Sequence, residues 1–146
     1  MLHSHIKVWV HLIWSTKNRS RILHKELRSQ LFTHLIEKGA ESEIIIEKLN
    51  IQPEHVHLLF NLPADNMLQN IVKNFKGESS RWINENSLVK TRFKWQRGYG
   101  AFSVSSSRVD VVNQYIANQD EHHRKKSFAE EYELFLEKYV VDPGNR

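Results

Sequence analysis

No cysteine occurs anywhere in the 146 residues. That excludes disulfides and thiolate metal sites, so any metal must be held by histidine, amide or carboxylate groups. Long apolar runs are missing too, and none approaches the roughly 18 to 20 residues that span a bilayer. The opening MLHSHIKVWVHLIWSTKNR has too short an apolar part for a signal peptide and no small-residue cleavage site. There is no internal repeat, no low-complexity tract and no Gly/Ser linker, so one domain over residues 1–146 is expected. No Walker-type glycine loop is present to cradle a nucleotide phosphate. A cytoplasmic chain with no membrane partner is the expectation.

What is present is ordinary in bulk, with 40% apolar and 26% charged residues. Lys and Arg outnumber Asp and Glu by 21 to 17, a net charge of +4 with a pI near 9.4. Such a surplus favours a polyanionic partner without specifying one. Its distribution says more. STKNRSR places Lys17, Arg19 and Arg21 in a loop, where phosphate contacts are plausible. KTRFKWQR sets Lys90, Arg92, Lys94 and Arg97 among Phe93 and Trp95, just before Tyr99, and HHRKK (122–126) is a third basic cluster. Cations for the backbone and aromatic faces for bases are what grips single-stranded nucleic acid. Arg92, Lys94, Trp95, Arg97 and Tyr99 have that composition, and they equally suit a strand with an aromatic inner face and a charged outer one.

Patterning predicts strands over 5–14, 43–49, 55–62 and, more loosely, 93–105. Leu27, Leu31 and Leu35, flanked by Phe32 and Ile36, predict an amphipathic helix over 24–40 that ends at Gly39. A second helix over 66–84 would bury Met67, Ile71, Phe75 and Trp82. Ser107 or Asp110 is expected to cap a third helix, and a fourth is expected over 128–139. The order strand, helix, strand, strand, helix, strand is the α+β, ferredoxin-like split βαβ (βαββαβ), with helices appended at the C-terminus.

EHVHLLF (54–60) poses the chemical question. On a strand, His55, His57 and Leu59 share one face, while Val56, Leu58 and Phe60 share the other and would pack against helices. Two imidazoles roughly 6.5 to 7 Å apart can converge on one cation, and they are equally compatible with surface or hydrogen-bonded core histidines. Two ligands also leave a site incomplete. In DVVNQYIANQ, Tyr115 and Gln119 stand one helical turn apart on one face, with Ile116 anchoring the apolar side. Each of the two also reads as an ordinary amphipathic or solvated helix residue. Tyr132 and Tyr139 read as packing residues, and His122 and His123 as part of an exposed basic end.

Taken together, WSTKNR (14–19), QPEHVHLLF (52–60), WQRGYGAFSVS (95–105) and QYIANQDEHHRKKSF (114–128) closely resemble the single-tyrosine HUH transposases of bacterial and archaeal insertion sequences. The resemblance spans nearly the whole chain. It implies that His55 and His57 are metal ligands, that Gln119 completes the metal site, and that Tyr115 is the nucleophile on the appended helices. It further implies cleavage and rejoining of hairpin-marked single-stranded DNA through a 5′-phosphotyrosine. The cofactor would be Mg²⁺ or Mn²⁺, the latter better suited to imidazole. A homodimer that shares active sites between subunits is implied as well. Other readings stay open: a domesticated enzyme that nicks repeat hairpins, a nucleic-acid-binding module without catalysis, and a metal-dependent hydrolase whose product would carry no protein.

Overall fold

The computed structural model describes residues 4–121 and 126–139. Its centre is a four-stranded antiparallel sheet in the order β2-β3-β1-β4. The strands are β1 (Trp9–Ser15), β2 (Ile46–Ile51), β3 (His55–Asn61) and β4 (Gly100–Val104). Helix α1 (Lys25–Glu41) links β1 to β2, and α2 (Leu68–Glu85) lies between β3 and β4. This is the expected split βαβ arrangement. After β4 follow α3 (Val109–Ala117), a short helical stretch at 119–121, and α4 (Phe128–Tyr139).

Strand alternation divides the molecule into two layers of contacts. Val10, Leu12 and Trp14 of β1 join Val56, Leu58 and Phe60 of β3 on one face, against Leu27, Leu31 and Leu35 of α1 and Ile71, Val72 and Phe75 of α2. Burying each such side chain contributes roughly 1.5–3 kcal/mol, so this face is the main core. The other face carries His11, Ile13 and Ser15, aligned through the β1–β3 register with Leu59, His57 and His55. Two smaller apolar groups cover it. Leu59 packs with Val109, Val112 and Ile116 of α3, and Ile13 with Phe102 and Phe128. The polar residues lie between these two groups.

Several boundaries differ from expectation. Helix α1 runs past Gly39 to Glu41, and its end is closed by Glu43 in the left-handed region (φ 60°), with Ile44 N donating to Gly39 O at 2.7 Å. Strand β2 starts three residues later than 43 because the chain is still unwinding from that cap. Met67 is the exposed N-cap of α2 rather than part of its apolar face. The broad strand over 93–105 narrows to Gly100–Val104. Upstream of it, a single bridge pairs Thr16 with Trp95. Neither Ser107 nor Asp110 caps α3, which grows directly out of a 3₁₀ turn at Ser106–Arg108. Among the described residues, no helix is long and apolar enough to cross a membrane.

A candidate metal and tyrosine site

His55 and His57 point from β3 toward the α3 side of the sheet, and both are buried. Each ring is oriented by a neighbour. His55 Nδ1 lies 2.8 Å from Glu54 Oε1, whose other oxygen accepts from Arg21 Nη1 at 2.7 Å. His57 Nδ1 lies 2.9 Å from His11 Nε2. Carboxylate and imidazole partners at Nδ1 turn both Nε2 atoms inward, the arrangement that presents imidazole lone pairs to a cation.

Three groups meet those Nε2 atoms. Gln119 Oε1 stands 3.3 Å from His55 Nε2, and Gln119 is 0% exposed. Glu131, which reaches in from α4 and is 6% exposed, puts Oε1 3.3 Å from His57 Nε2, off the direction of a hydrogen bond. The Tyr115 hydroxyl donates a short hydrogen bond to the same Oε1. The Tyr115 ring sits edge-on to His57, with centroids 5.8 Å apart.

Burial holds the His57 imidazole down to about 4, despite the opposing pull of Glu131. His11 is also held well below the usual range by burial and by its neighbour His57. Burial opposes ionisation of Glu131, but His57 and the Tyr115 hydroxyl outweigh it and lower the carboxyl. Because burial keeps His57 neutral at pH 7, the hydrogen bond from Tyr115 is the firmer part of that lowering. A neutral His57 beside an ionised Glu131 is the combination of protonation states a metal ion requires.

His55, His57 and Glu131 offer ligand atoms that all lie within 4.8 Å of one another, a buried group able to hold a metal. Two buried atoms there, His57 Nε2 and Glu131 Oε2, have no hydrogen-bond partner. Such orphans are costly unless a ligand satisfies them, so the residues fit a cation. Two imidazole nitrogens and a carboxylate oxygen are a donor set that a divalent cation accepts.

The stretch that follows α3 is tied to the same sheet. Gln52, buried just before β3, donates through Nε2 to Asn50 Oδ1 and to Asp120 Oδ1, both at 2.8 Å. The structure thus brings Tyr115, Gln119, His55 and His57 together within one chain. His11 and Glu131 were not singled out from the sequence. His11 shares the β-face of the histidine pair, a signal open to strand alternation. Glu131 lies 74 positions beyond His57, and no local spacing connects them.

The basic residues fall in two groups that the fold joins. Lys17 N donates to Lys94 O at 3.1 Å, and Asn18 N to Gln96 Oε1 at 3.0 Å, so the loop carrying Lys17, Arg19 and Arg21 abuts the one carrying Arg92, Lys94, Arg97 and Tyr99. Trp95 stands apart from them. It is 8% exposed, edge-on to Trp14 and Phe93, and its indole N–H donates to Ser79 Oγ at 3.0 Å. Trp95 is a core residue, closed off from a nucleic-acid base. His122 and His123 lie outside the described residues.

Comparison with known proteins adds four findings. The family model described as "Transposase IS200 like" matches residues 4–119. The ISDra2 transposase TnpA of Deinococcus radiodurans is 27% identical over 114 residues, 75% of this chain and 81% of that protein. Among solved structures, a Deinococcus radiodurans R1 crystal structure assigned as a transposase superposes with a TM-score of 0.65 at 27% identity, covering 82% of this chain and 95% of that one. A REP-associated tyrosine transposase bound to a REP hairpin shares the fold, with a TM-score of 0.62 at 19% identity over 84% of this chain and 73% of that one.

Proposed function

We propose, because this chain belongs to the IS200-like transposase family, that Tyr115 cleaves and rejoins single-stranded DNA at a phosphate held beside His55 and His57. Membership makes the protein a transposase, a DNA-processing enzyme. The finer chemistry is our reading, and residues 1–146 are taken as one catalytic unit. The observation that carries it is the shared carboxylate: Glu131 receives the Tyr115 hydroxyl on the oxygen that faces His57.

His55, His57, Gln119 and Glu131 would hold a divalent ion, Mn²⁺ or Mg²⁺, which when bound polarises the scissile phosphate and neutralises the charge that develops on it. The chain's own residues do the rest. Glu131 fixes the direction of the Tyr115 hydroxyl. With its acidity strengthened, this carboxylate orients the proton and is too weak a base to store it. As the Tyr115 oxygen bonds to phosphorus, the bond to the 3′-oxygen breaks, and the net reaction moves one proton from the phenol to the departing 3′-hydroxyl. The 5′-phosphotyrosine conserves the phosphoester bond, so rejoining by an incoming 3′-hydroxyl needs no nucleotide cofactor.

Lys17, Arg19, Arg21, Arg92, Lys94, Arg97 and Tyr99 are proposed to hold the strand, the cations along the backbone and Tyr99 against a base. The REP hairpin bound by the solved relative supports hairpin DNA as the substrate class. A homodimer is proposed from the resemblance. Because Tyr115 already reaches His57 of its own chain, catalysis within one subunit is the arrangement we favour.

The test is a denaturing gel of labelled single-stranded hairpin DNA from the gene's flanks, incubated with protein and Mn²⁺. A protein-linked band that disappears without metal, in Tyr115→Phe and in His57→Ala is the expected result. Cleavage that persists in Tyr115→Phe would remove the nucleophile assignment.

A further inference from the structure

A cavity of about 380 Å³ opens between the end of β1, the loop before β4 and the start of α4. It lies toward the small end of the roughly 300–1,000 Å³ typical of ligand pockets. Arg19, Arg97, Tyr99, Phe128 and Tyr132 line it, so its walls are aromatic and its charges are cationic. Arg19 lies over the Phe128 ring, 5.6 Å from its centroid, and Phe128 stacks on Tyr132 at 5.7 Å.

The walls are held in place before any ligand arrives. Lys76 Nζ donates to Gln96 O at 2.8 Å and to Gly98 O at 2.7 Å, clamping the loop that carries Arg97 and Tyr99. Gln96 N donates to Ser15 O at 2.9 Å, tying that loop to β1. Opposite, Asn18 and Arg19 both occupy the left-handed region, at φ 59° and 53°. Gly100 cannot be replaced without disturbing the cavity, since an added Cβ would lie 2.6 Å from the Tyr132 hydroxyl.

Position gives the cavity its meaning. The opposite wall of the metal group is Phe128, whose ring stacks on His55 with centroids 4.1 Å apart. One aromatic ring therefore separates the cavity from the candidate metal ligands. We infer that this cavity receives a single unstacked base of the DNA strand, belonging to a nucleotide next to the scissile phosphate, and so sets which base is tolerated there. Extruded bases are read in this way, by stacking between aromatic side chains with polar groups at the edge. Arg19 and Arg97 are placed for the phosphate or base edge, and Tyr99, 41% exposed, is free at the mouth to close over the ring. The inference rests on the single-strand chemistry proposed above and adds a base-specific subsite to it.

The experiment uses full-length Tyr115→Phe protein, which lacks the hydroxyl that would form the covalent link, and labelled single-stranded oligonucleotides from the gene's flanks. An abasic site is moved along the strand one position at a time. One position beside the cleaved phosphate is expected to weaken binding by about tenfold, the scale of one stacked base. That penalty should fall to about twofold or less when Tyr99→Ala or Arg97→Ala is added, both being exposed positions whose replacement spares the core. A 5-iodouracil at the same position should cross-link to Tyr99, Phe128 or Tyr132. Penalties spread evenly along the strand, or unchanged by both variants, with cross-links elsewhere, would overturn the subsite. If unmodified protein still forms protein-linked DNA in that case, the subsite alone is wrong. If it neither binds single strands nor forms the link, the catalytic reading falls with it.

Discussion

Glu131 is where one side chain does most to organise the site, since it faces His57, holds the Tyr115 hydroxyl and keeps a second oxygen unpartnered. Glu131→Gln keeps the shape but loses the charge. It is expected to weaken Mn²⁺ binding by about 10- to 100-fold, the range seen when the groups around a metal are altered, with titration calorimetry as the measurement. His57→Ala should abolish that binding, and an unchanged affinity in Glu131→Gln would remove the carboxylate from the ligand set. The histidines predict a pH effect on the metal-free protein. Unfolded, His11 and His57 take up protons as pH falls below about 6.5, whereas folded His57 resists until about 4. The unfolded state therefore binds more protons in that window, and stability falls as pH drops through it. Glu131 adds a further loss at lower pH, because its folded carboxyl is more acidic than its unfolded one. Urea midpoints should be lower near pH 5 than near pH 7, with a smaller drop in His57→Gln.

Among the elements, α1 and α3 show two kinds of attachment. Helix α1 is held by an apolar stripe, with Leu27, Leu31 and Leu35 all fully buried. Leu31→Ala is expected to cost about 2–5 kcal/mol, measurable by denaturant unfolding. Helix α3 has apolar anchors at Val112 and Ile116, but the turn that follows it is fastened through Gln52 and Asp120. Gln52→Ala should cost about 1–3 kcal/mol, since it leaves buried polar groups unpaired, and should speed amide exchange at 116–121 while the sheet stays protected. Helix boundaries were less legible in the sequence than the helices themselves. The apolar spacing of α1 was plain, but its end was set by Glu43 and the contact of Ile44 N with Gly39 O, which depend on where the next strand lies.

Across the whole molecule, the surplus of positive charge becomes a local feature. The 17–21 and 92–99 segments, far apart in sequence, are joined by the backbone bond from Lys17 N to Lys94 O and by Asn18 N donating to the Gln96 side chain, beside the cavity. Binding of single strands should therefore depend steeply on salt, and each phosphate-contacting cation removed should flatten the log–log slope by about 0.7. Lys17→Ala and Lys94→Ala are the variants to compare, by fluorescence anisotropy over a salt series. A slope that both leave unchanged would place the strand elsewhere.

The sequence by itself determined the order of strands and helices, because apolar periodicity is local and survives without a partner to pack against. It also determined which strand faces carry His55 and His57, since alternation along a strand needs no tertiary information. Tertiary structure decided what those histidines meet. Strand pairing brought His11 to His57, the attachment of the helical stretch at 119–121 to the sheet set Gln119 beside His55, and α4 delivered Glu131 and Phe128. It also withdrew Trp95 from the surface, where composition alone had grouped it with the basic residues. These outcomes rest on contacts between residues far apart in the chain, where distance is set by packing and not by spacing.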